Sequence, residues 1–500
     1  MRTKRTLYTT ISSLILQMVT AICGMILPRM ILAAFGSEVN GAISSITQFL
    51  GYISMLEVGV GGVTRAALYK PLAEGNGEKL SAIINATKSF FRKIGVIFAI
   101  YVIVIACGYQ YIVDSNLTWL FTFSLVLIIS ISTFAQYFFG ISNTILLQAD
   151  QKSYIINIIS ILTVVVNTIL SAILLYFGAS IHLIKLVGTT VYVIRPLFLW
   201  WYCKRNYQLD RTVPKDDVAI KQRWNGFGHH VAFFAYSNTD VFVITLFLGL
   251  KWVSVYTIYG AIVFGMRSFI NAISGAAESA LGDIIAKDEQ KALEHNFAII
   301  ETITSVITLV LFSTTGLLLF DFIAIYTKSI QDVNYIVPAF GVLFVFSEAL
   351  NAIKQPYYNL IAAAGHYKQT RAGAYIEAAM NFVLSVIFVQ FWGIEGVLVA
   401  TIISSMCRFI YYACYFKKNI IKRKISVFWA RQSVNVITAI VIVLLGSILP
   451  FGTPSNYGQW AMKAIVVLLM SSCITFAIQF LFYKKELLSI KSKLVNTILR

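Results

Sequence analysis

The sequence predicts an all-α polytopic membrane protein of about fourteen transmembrane helices, and three observations predict it. The 500 residues are 58% hydrophobic and only 12% charged, with a mean hydropathy of +0.77. That leaves too little polar surface to cover a water-soluble globule of this size, so lipid must be part of the solvent. The apolar residues come in runs of about 18 or more, each long enough to cross roughly 30 Å of hydrocarbon as a helix. A β-barrel would instead show alternating segments of about ten residues, and that alternation is absent.

The first run, 7–34, follows Arg2, Lys4 and Arg5 and could be mistaken for a signal peptide. It continues past Pro28 without a small-residue cleavage pattern after a short core, so it reads as a retained span. Five more spans, 41–68, 89–108, 117–147, 154–177 and 181–202, complete a first six-helix bundle over 1–203. A charged cytoplasmic linker, 204–224, separates it from a second bundle over 225–418. The spans of that second bundle are 227–250, 254–286, 297–320, 335–364, 373–391 and 396–416. The segment 419–500 adds two helices, 433–449 and 461–483, and a basic cytoplasmic tail.

Charge placement tests the count. Of the 40 Lys and Arg residues, 30 fall in segments this arrangement puts in the cytoplasm. Arg29, Lys185, Lys251, Lys328 and Lys463 fall at outer loops, and Arg65, Arg195, Arg267, Lys354 and Arg408 within spans. The asymmetry is the positive-inside pattern of an even number of spans with both termini cytoplasmic. The formal charge of +18 is explained by the same bias, so no nucleic-acid partner is expected. Gly41, Ala42, Ile43, Phe49, Ile53 and Ser54 recur as Gly260, Ala261, Ile262, Phe269, Ile273 and Ser274. Asn167, Leu170 and Ser171 recur as Asn381, Leu384 and Ser385. Both offsets are close to six helices, which predicts two repeats related by a pseudo-two-fold axis along the membrane normal, with substrate in the cleft between them.

Three stretches carry a family resemblance. The first is Leu27-Pro28-Arg29 with Phe35 to Gly41, followed by Gly59 to Gly62 and Arg65; the second is Asp240 with Tyr256 to Gly260. The third is Ala364 to Tyr367, Asn381 and Gly393 to Val397, leading to Ala400-Thr401. In these, over roughly residues 7–418, the chain resembles the Wzx-type polysaccharide flippases, which share a superfamily with the multidrug and toxin extrusion transporters and the lipid II flippase. The resemblance implies a non-enzymatic flippase in the bacterial cytoplasmic (inner) membrane, acting in surface polysaccharide biosynthesis. It would translocate a polyprenyl-pyrophosphate-linked oligosaccharide by alternating access. Membrane lipid and this lipid-linked glycan are the implied partners, with a polysaccharide polymerase and glycosyltransferases as further ones. Two rivals stay open: an ion-coupled multidrug exporter of the same fold, and a membrane polysaccharide polymerase or glycosyltransferase, though the chain lacks the sizeable outer loop such enzymes use.

Ionisable residues inside the membrane mark a cavity, a pairing or a misplaced boundary. Helix rise puts Glu57 and Arg267 roughly 20–25 Å from the outer face and Glu348 at about 20 Å. Arg267 would grip a pyrophosphate with its fork of donors, or else form an ion pair with Glu57, Glu278 or Asp240. Arg29 is an outer gate cation or an interfacial anchor, and Arg65 either joins the cleft cations or snorkels to the inner headgroups. Glu57, Asp240 and Glu348 are the candidates for binding a coupling proton or Na⁺, with charge balance of a neighbouring Arg as the alternative. Glu348 and Lys354 stand six apart, off the spacing of a direct helical pair.

Gly59, Gly61 and Gly62 lie in a span without a following Lys-Ser or Lys-Thr, so close helix packing or a hinge is expected rather than phosphate binding. Pro28, Pro196 and Pro356 are candidate kinks. The six cysteines are scattered without a CxxC pair, and His229 and His230 sit at an inner helix start. No catalytic residue, metal site or cofactor is expected.

Overall fold

The computed structural model describes residues 2–210, 212–216, 227–287, 289–421 and 423–498. Among these the chain is helical with no strand. In order come α1 (Arg2–Gly51), a 3-10 turn (Tyr52–Leu56), α2 (Val58–Glu74), α3 (Gly77–Ile112) and α4 (Trp119–Ala135). A π turn (Gln136–Gly140) leads into α5 (Ile141–Ala149), then α6 (Ser153–Tyr176), α7 (Ile181–Asn206), α8 (Phe227–Phe247) and α9 (Leu250–Ala286). α10 (Gln290–Tyr326), α11 (Pro338–Ala363), α12 (Tyr367–Asn419), α13 (Ile425–Ser447) and α14 (Tyr457–Ile498) complete the chain.

Ten stretches of the described residues are long and apolar enough to cross a membrane. Besides a kink in α14 at Tyr483, two of them bend at glycines of positive φ: α1 at Gly36 (φ 81°) and α12 at Gly393 (φ 56°). These backbone angles favour glycine, which has no Cβ to clash, and each bend separates two spans inside one continuous helix. Divided there, and joined by α8 and α11 at 21 and 26 residues, the helices account for the expected fourteen spans. The second expected span differs in detail, because the 3-10 turn interrupts it and α2 restarts at Val58.

Helix starts follow from local chemistry. Asn76 accepts the Lys79 N–H at 2.9 Å to open α3, Thr118 and Ser180 do the same for α4 and α7, and Pro338 occupies the first turn of α11. Large apolar side chains such as Ile100, Val104, Leu444 and Leu481 point outward from the middle of helices, the pattern of a lipid-facing surface.

The chain packs as two compact units, Met1–Thr257 and Ile258–Arg500. In the first, Ile46, Phe91, Phe98, Leu125 and Leu146 form the core where α1, α3, α4 and α5 meet. One polar edge of this unit is tied by Asp150, which pairs with Lys152 at 2.7 Å and Arg5 at 3.3 Å and accepts from Tyr207 at 2.6 Å. The start of the expected linker is strapped to α3, since Asn85 donates to the carbonyls of Asp210 and Val213 at 3.0 and 3.1 Å. The Thr212 N–H and hydroxyl donate to Asp210 and hold its carboxyl below the ordinary carboxylate range. Residues 211 and 217–224 of that linker lie outside the described residues. In the second unit, Tyr357 stacks on Phe416 and meets Phe297 and Phe409 edge-on, joining α10, α11 and α12. Lys463 and Asp321, 2.7 Å apart, fasten α14 to α10.

Candidate functional site

The second unit holds a string of charged and polar side chains inside its helices. Arg267, on α9, donates from Nη1 to Glu348 Oε2 at 2.7 Å. Glu348, Asn351 and Lys354 follow at intervals of three along α11, which puts them on one face. Asn351 donates to the other oxygen of Glu348 at 3.1 Å and accepts from Ser405 at 2.8 Å. Lys354 then donates to Ser405 at 2.8 Å and to Glu377 at 2.7 Å. Arg408 Nε lies 3.7 Å from Glu377, while Arg408 Nη1 donates to the Thr370 carbonyl at 3.1 Å and its guanidinium covers the Tyr412 ring. Gly373 makes the space, because a Cβ there would stand 2.0 Å from Arg408 Nη1.

Among the described residues the string joins three cations, Arg267, Lys354 and Arg408, with two carboxylates, Glu348 and Glu377. Arg267 is its most accessible charged member, with 27% of its side chain exposed against 6% for Glu348 and 2% for Arg408. An accessible guanidinium inside the helices is suited to an anion.

Of the residues offered as ion-pair partners for Arg267, the Glu278 side chain lies outside the described residues; the described ion pair of Arg267 is with Glu348. Glu348 and Lys354 make no direct pair, as their spacing requires, yet Asn351 and Ser405 link them.

The remaining candidates belong to the first unit. Glu57, at the joint between the 3-10 turn and α2, accepts from the Tyr137 hydroxyl of the π turn. It pairs with neither Arg29 nor Arg65. Both carboxylate and phenol line a cavity of about 270 Å³ with Ser132, Thr133, Gln136, Ile141 and Tyr192. Asp240 is buried in α8 and accepts from Tyr256 at 3.0 Å. Arg29 is half-buried next to Pro28, and Arg65 reaches Gln148 at 3.4 Å. The close-packing reading of the glycines fails for Gly61 and Gly62, where a Cβ would meet no atom within 4 Å. The side chains of His229 and His230 lie outside the described residues.

Close packing occurs instead at Gly41, where a Cβ would stand 1.8 Å from the Leu250 carbonyl oxygen. A row of polar contacts runs from there along α1 and the 3-10 turn against α8 and the start of α9. Asn40 meets Ser254 at 2.7 Å, Ser45 meets Thr245 at 3.1 Å, and Ser44 meets Thr257 at 3.5 Å. Gln48 bonds the Asn238 side chain and Tyr52 donates to the Asn238 carbonyl at 3.1 Å.

Sequence reasoning missed a second buried cluster. Glu301, on α10, is clasped by Arg423 at 2.7 and 3.1 Å, lies 3.2 Å from Arg431 Nε, and accepts from Tyr357. Arg431 also reaches Thr302 at 2.9 Å and Glu486 of α14 at 3.1 Å. Glu301 sits in an otherwise apolar run, and that was the available signal.

No protein-family model and no curated protein matches the sequence. Solved structures do. The lipid II flippase MurJ in an inward closed conformation aligns with a TM-score of 0.71 and 16% identity, over 95% of this chain and 99% of that one. The fold is that of the MOP-superfamily transporters. An inward-facing multidrug-resistance MATE transporter of that superfamily aligns at a TM-score of 0.64 and 14% identity, over 81% and 98% of the two chains. A MOP-superfamily transporter from Pyrococcus furiosus, described as having a binding pocket of reverse polarity, aligns at 0.60 and 16% identity, over 85% and 97%.

Proposed function

We propose that the chain is a flippase that moves a polyprenyl-pyrophosphate-linked oligosaccharide across the bacterial cytoplasmic membrane by alternating access, for surface polysaccharide assembly. The observation that carries this reading is the accessible guanidinium of Arg267, grouped with the cations Lys354 and Arg408 inside the helices, which suits an anionic cargo. The similarity in fold to a lipid II flippase supports it. The string lies within the membrane helices, where the charged headgroup would pass while the polyprenyl tail stays in lipid. Arg29 and Arg65 are further cations for the glycan's pyrophosphate. Covalent bonds are left intact, and the polymerase and glycosyltransferases act before and after transport.

In the conformation observed, Glu348 occupies the Arg267 donors, so an arriving pyrophosphate competes with it for the guanidinium. Glu57, Asp240 and Glu348 are the candidates for ion coupling.

Binding of a polyprenyl pyrophosphate to purified protein in nanodiscs tests the site. Arg267→Ala is expected to weaken binding roughly tenfold or more, the worth of a charge-assisted hydrogen bond. Glu348→Gln is expected to tighten it. Equal binding by wild type and Arg267→Ala would remove Arg267 from the site, and binding of cationic dyes in place of the lipid would favour a drug exporter of the same fold.

A further inference from the structure

The middle of the string is polarised. Lys354 donates to the Ser405 hydroxyl at 2.8 Å, that hydroxyl donates to the Asn351 side-chain oxygen at 2.8 Å, and the Asn351 amide donates to Glu348 at 3.1 Å. Each donor is directed toward the carboxylate that also holds Arg267. Hydrogen bonds aligned head to tail in low dielectric strengthen one another, so the charge on Glu348 is felt at Lys354 through two neutral side chains.

Lys354 is the branch point. Its ammonium also lies 2.7 Å from Glu377, whose other oxygen stands 3.7 Å from Arg408 Nε, beyond hydrogen-bond length. Arg408 is held instead through Nη1 by the Thr370 carbonyl, in the first turn of α12. The chain of contacts thus runs from the accessible guanidinium of Arg267 to one sealed inside the helices.

We propose that Asn351, Ser405 and Lys354 are positioning residues that carry the state of Arg267 to the start of α12. When Arg267 lets go of Glu348, the carboxylate draws harder on Asn351, and the Lys354 ammonium moves from Glu377 toward Ser405. Glu377 then takes Arg408 as its partner, and Arg408 releases the Thr370 carbonyl. The released turn follows directly on the α11–α12 connection, where Gly365 has φ 68°. That an anionic cargo triggers the exchange rests on the flippase reading; the relay itself needs only the loss of the Arg267–Glu348 pair.

Hydrogen–deuterium exchange of the full chain in nanodiscs, followed at the backbone amides of 367–376 without substrate, tests the relay. Arg267→Gln is expected to speed exchange there about fivefold, as for the loss of one hydrogen bond. Arg267→Lys, which keeps a cation beside Glu348, is expected to leave the wild-type rate, and Asn351→Leu added to Arg267→Gln is expected to restore it. Unchanged exchange in Arg267→Gln would overturn the relay, and so would a rise that survives Asn351→Leu or that appears equally in Arg267→Lys. Should Asn351→Leu fail to fold, Ser405→Ala breaks the same chain and is read the same way. Geranylgeranyl pyrophosphate added to wild type is expected to reproduce the Arg267→Gln rate. If the lipid does nothing while Arg267→Gln still acts, the anionic-cargo reading falls and the relay stands.

Discussion

Glu301 shows what a single residue can hold together in this chain. Only 2% of its side chain is exposed, and Arg423 and Arg431 both bring their charge to it. Removing one member of a buried ionic cluster strands the others in low dielectric, typically at about 3–5 kcal/mol. Glu301→Ala should therefore lower the unfolding temperature in detergent well beyond the change for the exposed Glu74→Ala; equal shifts would show that the arginines find other partners. Arg267 was legible as a deep cation because hydropathy reveals a charge inside an apolar run. Its partner Glu348, and the linkage of Lys354, Glu377 and Arg408, were not. Facing depends on how each helix is rotated about its axis, and a membrane helix apolar on nearly all sides leaves little periodic signal of that rotation.

At the scale of elements, the turns were the most readable parts. The stretches Phe35 to Gly41 and Gly393 to Val397, which carry the family resemblance, contain the bends at Gly36 and Gly393. Gly393→Ala would force an alanine to φ 56° and is expected to cost about 1–2 kcal/mol, read as a drop in thermal stability. Gly41→Val should act differently, by pushing α1 away from Leu250 and breaking the polar row beside it. Cysteines placed at Ser44 and Thr257 are then expected to crosslink in the parent chain and to lose that crosslink with Gly41→Val; an undiminished crosslink would mean the contact tolerates a side chain. The 3-10 turn and the π turn were invisible beforehand. Their sequences, Tyr-Ile-Ser-Met-Leu and Gln-Tyr-Phe-Phe-Gly, continue the apolar helical pattern, and the departure comes from packing.

For the whole molecule, composition and charge bias were sufficient to set the class. Lipid as solvent follows from 58% hydrophobic content, and the even span count follows from where the lysines and arginines fall. Reporters fused to each terminus should both read as cytoplasmic, and opposite sides would break the positive-inside argument. Cargo is the property least fixed by the fold, because one MOP-superfamily architecture serves a lipid II flippase and multidrug transporters alike. The accessible Arg267 guanidinium is the feature by which we propose an anionic cargo here. The most direct measurement is translocation of a fluorescent polyprenyl-pyrophosphate oligosaccharide in vesicles containing the purified chain. Movement by wild type that falls to background in Arg267→Ala at equal protein content is the expected result. Vesicles that leave the lipid-linked sugar in place while transporting a cationic dye would contradict it.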